Sequence, residues 1–493
     1  MNDETARQSR SERPRSRKGR WTLIGVVAVL VLCTVYLAWR FTRNDPVVYE
    51  DIVEHYKYGS LGSEAFSPPY WVWKALPVMF PEYLPGDGYE SLGFVFEEGE
   101  DLPIGFSRRR LNGLDGIGLN CAFCHTGTVR DTPDSEPRIY VGMPAHQFDI
   151  QGYFTFLFDA ALDQRFTPNQ MIPVMESLGA DFDPIDRAFY RYVVINQVRL
   201  GLLEARDRLS ALILNEDVPP WGLGRVDTFN PYKALQLNYP MHEVPTDELI
   251  GPADYPQIWN QAPREGLYLH WDGNNNSVDE RNLGAALGTG ATPTSLDYDS
   301  LDRIDRWLRE FPPPEYPYDI DRELAGQGEV IYQSMCSDCH DFDGELNGTV
   351  IPLEEIGTDP YRLHNYTYDL TVNQATLYAG MPWRFTHWRK SDGYACQALD
   401  GIWARAPYLH NGSVPTLRDL LEPPENRPAV FYRGYDVYDR ENVGFVSDVP
   451  EANGREFFRM DRTVPGNDNV GHLYGTDLSP EEKDALIEYM KTL

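Results

Sequence analysis

Basic residues are scarce in this 493-residue chain, which has 44 Lys and Arg against 75 Asp and Glu and a formal net charge of −31. Residues 1–20 hold seven basic and three acidic residues, so 37 basic and 72 acidic residues remain in the rest. A surface with this charge repels nucleic acid and anionic lipid. We therefore expect no nucleic-acid partner, and the charge suits either plain solubility or a basic soluble partner.

Cysteine is also rare, and four of the six cysteines fall in two copies of one motif. Residues 121–125 read CAFCH, and residues 336–340 read CSDCH. A C-x-x-C-H run is the attachment signature of c-type haem, because the two thiols add to the haem vinyl groups and the histidine binds the iron. The two copies therefore predict two covalently bound haem c groups. The predicted attachment residues and proximal ligands are Cys121, Cys124, His125, Cys336, Cys339 and His340.

One apolar segment near the N-terminus is long enough to cross a membrane. Residues 21–39 carry no charge and follow the basic residues 1–20, which we expect to form a cytoplasmic tail. At about 1.5 Å per residue, nineteen helical residues nearly match the ~30 Å hydrocarbon layer. The end of the run lacks the small-residue site of a cleaved signal peptide. We expect a single-pass anchor in a bacterial inner membrane, with the bulk of the chain periplasmic.

The rest of the chain divides into a stalk and two domains. Residues 40–68 are polar with scattered aromatics and are expected to form a juxtamembrane stalk. An amphipathic helix is predicted over residues 300–311, and the prolines after it mark a boundary between domains at 69–317 and 318–493. Strand signals are few. The expected fold is mainly α, with two cytochrome-c-like haem domains, long irregular loops and one N-terminal transmembrane helix.

The sixth coordination position of each iron decides the function. A filled position makes an electron carrier, whereas an open one lets peroxide or dioxygen reach the metal. The candidates for the second haem are Met381, His410 and His472. We favour His472 because it lies in a Gly- and Asn-rich loop just before the last predicted helix, and we count His410 among the haem contacts.

The first haem has its own set of candidate residues within the same predicted domain. The nearest histidines are His146, His242 and His270. His270 precedes Trp271 in a polar run that is typical of a loop and not of a core. Trp271 either carries electrons between the haems or packs against its neighbours. Of the other cysteines, Cys33 is expected to be buried in the membrane and Cys396 to be an unpaired structural thiol.

Residues 404–417, ARAPYLHNGSVPTL, together with the two C-x-x-C-H motifs resemble the dihaem cytochrome c peroxidase superfamily. The rubber oxygenase branch looks most similar, since the resemblance extends to residues 271–282, the linker that begins at Phe311, and residues 466–493. The resemblance implies that the first haem does the chemistry and that the second, six-coordinate, passes electrons. It also implies Trp271 as the bridge between them and His472 as the second ligand of the electron-transfer haem.

The chain departs from the peroxidase pattern at the reactive haem. Arg281 and Ala291 stand at the positions that best match a glutamine and a glutamate of the peroxidases, and no methionine follows His410 before Met460. Heterolysis of peroxide usually needs a general acid and base there. His270 can fill that role, or it can ligate the iron and close the site. The candidate catalytic residues are His270, Trp271 and Arg281.

These observations predict a membrane-anchored periplasmic dihaem c-type cytochrome that acts as an oxidoreductase. The first haem would activate peroxide or dioxygen, and electrons would pass through the second. The alternatives are a non-enzymatic electron carrier and a dioxygenase that cleaves a long apolar substrate. The expected partner is a small cytochrome as electron donor or acceptor, and calcium is an optional further cofactor.

Overall fold

The fold combines helices with many short strands. The computed structural model describes residues 17–45, 47–65, 67–381 and 384–493. Helices make up 43% of the structure, so the fold is mixed and not mainly α as predicted. Within the described ranges, the strands form seven antiparallel sheets of two strands each. Each strand has six residues or fewer, which is too short to leave a clear alternating pattern in the sequence.

The helices and strands have the following bounds. The longer helices are Arg17–Thr42, Ile52–Tyr58, Tyr70–Met79, Ile150–Leu162, Pro168–Ser177, Pro184–Phe189, Ile195–Arg208, Val278–Gly288, Tyr298–Glu310, Arg322–Met335, Tyr368–Leu377 and Pro480–Met490. The paired strands are Phe106–Leu111 with Leu114–Leu119, Thr126–Val129 with Arg138–Val141, Arg225–Asp227 with Pro252–Asp254, Val350–Pro352 with Gly393–Ala395, Val430–Arg433 with Phe458–Asp461, Tyr438–Asp439 with Gly444–Phe445, and Glu451–Ala452 with Arg455–Glu456.

The predicted membrane segment lies within the helix Arg17–Thr42. Residues 20–42 are long and apolar enough to cross a membrane, and none of the segment is buried against the rest of the protein. A signal sequence has the same properties. The structure therefore provides a membrane span or a signal sequence, and the topology stays a prediction.

Part of the segment expected to be a stalk, residues 40–68, is packed into the body of the protein. Asp51 caps the helix Ile52–Tyr58 by accepting hydrogen bonds from the backbone N–H groups of Val53 and Glu54. Tyr56 in this helix is fully buried, and its hydroxyl donates to the carbonyl oxygen of His125 at 2.7 Å. The segment therefore helps to position the first C-x-x-C-H motif.

Two helices frame the second motif. Arg322–Met335 leads directly into Cys336, and Pro480–Met490 packs across it. The second helix begins with a capping box between Ser479 and Glu482. Gly328 lies at the crossing, where a Cβ atom would come within 1.8 Å of a backbone carbonyl oxygen of the other helix. Only glycine permits this close approach.

Residues on both sides of the predicted boundary at residue 317 share a hydrophobic core. One cluster brings Val129 and Trp259 together with Trp403 and Leu486. A second, aromatic-rich cluster is built from residues of the range 70–255 and packs around the first motif through Phe123. The domain limits stay a prediction, but the two motifs are held within one packed body.

Candidate functional site

The first motif forms a short helix, Cys121–Cys124, whose start is fixed by the preceding residue. The Asn120 side-chain oxygen accepts a hydrogen bond from the backbone N–H of Ala122, and its amide donates to the carbonyl oxygens of Lys57 and Gly59. Asn is a preferred N-cap, so this contact was readable from the sequence, although its link to residues 57–59 was not. The cap holds both thiols of Cys121 and Cys124 on one helical turn.

His125 is oriented by a backbone carbonyl. Its Nδ1 lies 2.7 Å from the carbonyl oxygen of Pro256, and since a carbonyl only accepts, Nδ1 carries the proton. The lone pair of Nε2 is then available to a metal, which is the arrangement usual for a ligating histidine. Burial, reinforced by the charge of Arg281, lowers the pKa of His125 to about 3, so the imidazole is neutral.

The second motif repeats this arrangement with different partners. Residues Ser337–His340 form one helical turn, and His340 Nδ1 lies 2.8 Å from the carbonyl oxygen of Gln397. Burial lowers the pKa of His340, so this imidazole is also neutral and its Nε2 is free to bind a metal. Pro256 and Gln397 were not identified from the sequence, because any residue can supply a backbone carbonyl.

A second imidazole faces His340. The ring centroids of His340 and His472 are 6.2 Å apart, and the ring planes are inclined by 41°. Two imidazoles bound to opposite sides of one metal ion have centroids about 6 Å apart, because each metal–nitrogen bond is about 2 Å long. The spacing therefore fits a single iron between the two rings.

Arg427 holds the loop that carries His472 in place through hydrogen bonds. The guanidinium of Arg427 donates to the carbonyl oxygens of Gly471 at 2.9 Å and of His472 at 3.1 Å, while the N–H of His472 donates to Ile356 O at 2.9 Å. His472 itself has a positive φ of 47°, which is costly for a residue with a Cβ atom. These hydrogen bonds offset this cost and keep the imidazole over His340.

One cavity adjoins both motifs, because the two residues whose carbonyl oxygens bind the motif histidines both line it. Its wall contains Pro256, the partner of His125, and Gln397, the partner of His340. The full lining is Pro256, Gln257, Trp259, Arg264, Leu269, His270, Trp271, Arg281, Gln397 and Arg405. All three predicted catalytic residues are thus brought together in this wall.

His270 lines the cavity, and its Nε2 has no hydrogen-bond partner among the described residues. Its Nδ1 is paired with the side-chain oxygen of Asn274 at 2.6 Å, which leaves Nε2 unprotonated, and its ring stacks on Trp388 at 5.4 Å. Burial and then Arg281 lower the pKa of His270 to about 4. Like His472, His270 has a positive φ, here 62°. Strained backbone of this kind clusters at functional sites.

Arg281 brings a positive charge to the same wall. Its guanidinium has no hydrogen-bond partner among the described residues, and burial lowers its pKa to about 10. Arg264 and Arg405 also line the cavity, and both pair with the carboxylate of Asp400. Three guanidinium groups with one shared carboxylate make the wall electropositive, which suits the carboxylates of a haem.

Trp271 is held rigidly between the two halves of the site. Its Nε1 donates to the carbonyl oxygen of Asp254 at 2.8 Å, and its own carbonyl oxygen accepts from the N–H of Ala395, also at 2.8 Å. Asp254 belongs to the first predicted domain and Ala395 to the second. Trp271 therefore contacts both, and its role in electron transfer stays a prediction.

The remaining candidate ligands have other surroundings. His410 is buried, stacks on Tyr394 at 4.1 Å, and its Nε2 is hydrogen-bonded to the Tyr394 hydroxyl at 3.0 Å. His242 is exposed beside Ser210, and Met381 is exposed as well. His146 stacks on Phe445 at 3.8 Å. Ligation or haem contact by these residues stays a prediction, and none of them faces another imidazole within the described part of the chain.

The predicted calcium ion and the spare cysteines are less defined. Across the described ranges, no group of three or more His, Cys, Asp or Glu side chains is arranged to hold a metal ion. Calcium as a cofactor thus stays a prediction. Cys33 lies exposed on the apolar helix Arg17–Thr42, and Cys396 is a buried free thiol.

A family model matches a segment close to the second motif. Residues 393–432 match the family model described as RoxA-like, cytochrome c-like. The match supports the rubber oxygenase and cytochrome c family in a coarse sense. A cytochrome c-like domain implies covalently bound haem c. The matched segment includes Tyr394, Gln397 and His410, so it covers the carbonyl partner of His340 but neither C-x-x-C-H motif.

Two proteins of Sinorhizobium fredii are similar to the chain over longer stretches. The uncharacterized protein y4iJ is 26% identical in an alignment 552 positions long, gaps included, which spans 88% of this chain and 90% of that protein. The uncharacterized protein y4iM is 34% identical in an alignment of 283 positions, which spans 48% of this chain and 64% of that protein. These relatives extend the similarity beyond the matched segment without indicating an activity.

Proposed function

We propose that the protein is a membrane-anchored, periplasmic dihaem c-type cytochrome with oxidoreductase activity. One difference between the two motifs carries the proposal. His340 has an imidazole facing it, whereas the ring contact of His125 among the described residues is with Tyr255, at 6.3 Å and inclined by 70°. This asymmetry supports a closed second site that transfers electrons and an open first site that does the chemistry.

The residues of both sites fit haem c. Cys121, Cys124 and His125 would hold the first group, and Cys336, Cys339 and His340 the second, with His472 as the second ligand there. The two neutral motif imidazoles and the electropositive wall suit an iron porphyrin with two carboxylates. A haem c with an open sixth position supplies iron chemistry toward peroxide or dioxygen.

The cavity wall supplies proton transfer and charge stabilisation in this proposal. His270 Nε2 is free and unprotonated, so it can take a proton from a bound peroxide and return it to the leaving oxygen. The unpaired guanidinium of Arg281 can stabilise negative charge that develops nearby. The contacts of Trp271 with Asp254 and Ala395, one in each predicted domain, support a role as an electron relay.

The second site also has an exposed surface suited to a redox partner. Apolar side chains are exposed on both sides of the second motif and in the His472 loop. They are Val330, Met335, Phe342, Leu346, Leu473 and Tyr474. Asp338, Asp341, Asp343 and Glu345 lie among them in the sequence. An apolar patch with an acidic rim favours a basic partner such as a small cytochrome.

A second candidate, a dioxygenase that cleaves a long apolar substrate, is favoured by the RoxA-like match of residues 393–432. Stopped-flow spectroscopy of the reduced protein separates the candidates. Oxidation of both haems by peroxide, with an electron donor consumed on turnover, supports the peroxidase-like function. Oxygen uptake only in the presence of a long unsaturated hydrocarbon supports the dioxygenase. A protein that reacts with neither is an electron carrier, and the proposed activity is then wrong.

A further inference from the structure

The end of the apolar helix is fixed to the body of the protein. Arg40 donates to Asp183 at 2.8 Å and to Asp186 at 2.6 Å, and its side chain is only 11% exposed. Next to it, the Phe41 ring packs edge-on against Phe189 at 5.0 Å. The end of the anchor helix is therefore not joined to the body by a flexible linker. The direction of the helix relative to the body determines which surface of the body faces the membrane.

A hairpin turn contacts the same point from another side. A Cβ atom on Gly113, whose φ is +78°, would come within 2.9 Å of the Arg40 carbonyl oxygen and of the Phe41 ring. Beyond the helix, the N–H of Asp45 donates to the carbonyl oxygen of Arg110 at 3.0 Å. The helix end is therefore held on two sides, by the region around residues 183–189 and by the hairpin.

The surface next to this junction carries an apolar stripe. Ile185 lies one turn before Phe189 on the helix Pro184–Phe189, and Tyr192 and Val193 lie in the π-helical turn Tyr190–Val194 that follows it directly. Ile185, Tyr192 and Val193 are exposed, Tyr192 by 74%. One helical turn is about 5 Å long. The stripe thus begins about one turn from the contact between Phe41 and Phe189.

Charged residues of both signs surround the stripe. Arg187 lies within it and pairs with Glu176, while Arg108 and Arg110 of the neighbouring hairpin both pair with Asp115; the three arginine side chains are 52%, 41% and 33% exposed. Exposed apolar and aromatic side chains flanked by arginines are typical of surfaces that rest in the headgroup region of a bilayer.

We propose that the surface formed by Ile185, Phe189, Tyr192 and Val193 with Arg187 lies in the headgroup layer of the membrane that holds the anchor, and that its ligand is phospholipid of that bilayer. This proposal depends on the anchor remaining attached to the mature chain. It fixes the orientation of the body, so that the two haem sites would keep a constant position relative to the bilayer.

Photo-crosslinking in vesicles tests this face. The full-length haem-loaded protein would be reconstituted in phosphatidylglycerol and phosphatidylcholine, with benzoylphenylalanine in place of Tyr192 or, as a matched control, of Val330, which is 71% exposed on a helix that packs against Pro480–Met490. We expect at least tenfold more lipid adduct at position 192 by mass spectrometry. Arg40→Ala should lower that yield severalfold while the haem spectrum stays unchanged.

Two results would overturn the proposal. Equal lipid labelling at positions 192 and 330, or adducts of position 192 with another copy of the chain, would show that this face does not rest on the bilayer. A chain that does not float with the vesicles would refute the anchor itself, and the proposal with it. The haem chemistry proposed above would be unaffected by any of these outcomes.

Discussion

In the two C-x-x-C-H sites the motif histidines are oriented in the same way, but the rings that lie against those histidines differ. In both, the motif histidine is buried and its Nδ1 is bound to a backbone carbonyl, of Pro256 in one case and Gln397 in the other. The imidazole of His472 faces His340, whereas the ring contact of His125 among the described residues is with Tyr255, and the charge of Arg281 acts on His125. The attachment motif alone therefore does not determine what a haem site does.

Removing one motif at a time should produce the largest effect. Cys121→Ala with Cys124→Ala should leave one haem per chain and abolish reaction with peroxide and dioxygen, because the open site is lost. Cys336→Ala with Cys339→Ala should also leave one haem, but one that still binds small ligands. Haem content by pyridine haemochrome and stopped-flow spectra check both variants. If the two variants behaved identically, the proposed functional difference between the two haem sites would be wrong.

Replacing His472 should make the second site resemble the first. His472→Ala removes the imidazole that faces His340, so the second haem should change from low spin to high spin. Met381→Ala is the matched control and should leave the spectrum unaltered, since Met381 is exposed. Absorption and magnetic circular dichroism spectra measure the change. The reverse pattern would show that the methionine, and not His472, is the ligand.

Replacing His270 should affect the chemistry of the first site without affecting the second. His270→Ala removes the free ring nitrogen in the cavity wall, and loss of a general acid and base typically costs about 100- to 10,000-fold in rate. The expected result is a fall of that size in the rate of reaction with peroxide, with both haems attached and the second spectrum intact. If the variant instead turns a low-spin first haem into a high-spin one, His270 is a ligand and the site is closed.

The smallest effect is expected at the residue that joins the two sites. Trp271→Phe keeps an aromatic ring but loses the hydrogen bond to the carbonyl oxygen of Asp254, worth about 1 kcal/mol. Electron transfer between the haems should slow severalfold, while haem content and each spectrum remain unchanged. Flash photolysis of the half-reduced protein measures this rate. An unaltered rate would mean that the Trp271 ring only packs.

The sequence was informative wherever function depends on residue type and spacing. The two motifs and the polar run with His270 and Trp271 were recognisable in the sequence, and the candidate residues His270, Trp271 and Arg281 line one cavity in the structure. The contacts that orient these groups were not predictable. Pro256 and Gln397 act through backbone carbonyls, and Arg427 reaches the His472 loop from 44 residues away in the chain.

The fold was predicted less well than the site. Strands of two to six residues in isolated pairs have no periodic signal, so a mixed fold was taken for a mainly helical one. The helix Ile52–Tyr58 was missed for a related reason, since seven residues make two turns and its buried face is aromatic and histidine-rich instead of aliphatic. Its burial depends on tertiary contacts such as that of Tyr56 with His125.

Electron paramagnetic resonance of the fully oxidised protein tests the asymmetry of the two sites most directly. The spectrum should contain one high-spin ferric signal from the site of His125 and one low-spin signal, typical of two imidazole ligands, from the site of His340 and His472. His472→Ala should convert the low-spin signal to high spin and leave the other in place. Two low-spin signals in the unmodified protein would contradict the account, because neither iron would then be open to peroxide or dioxygen.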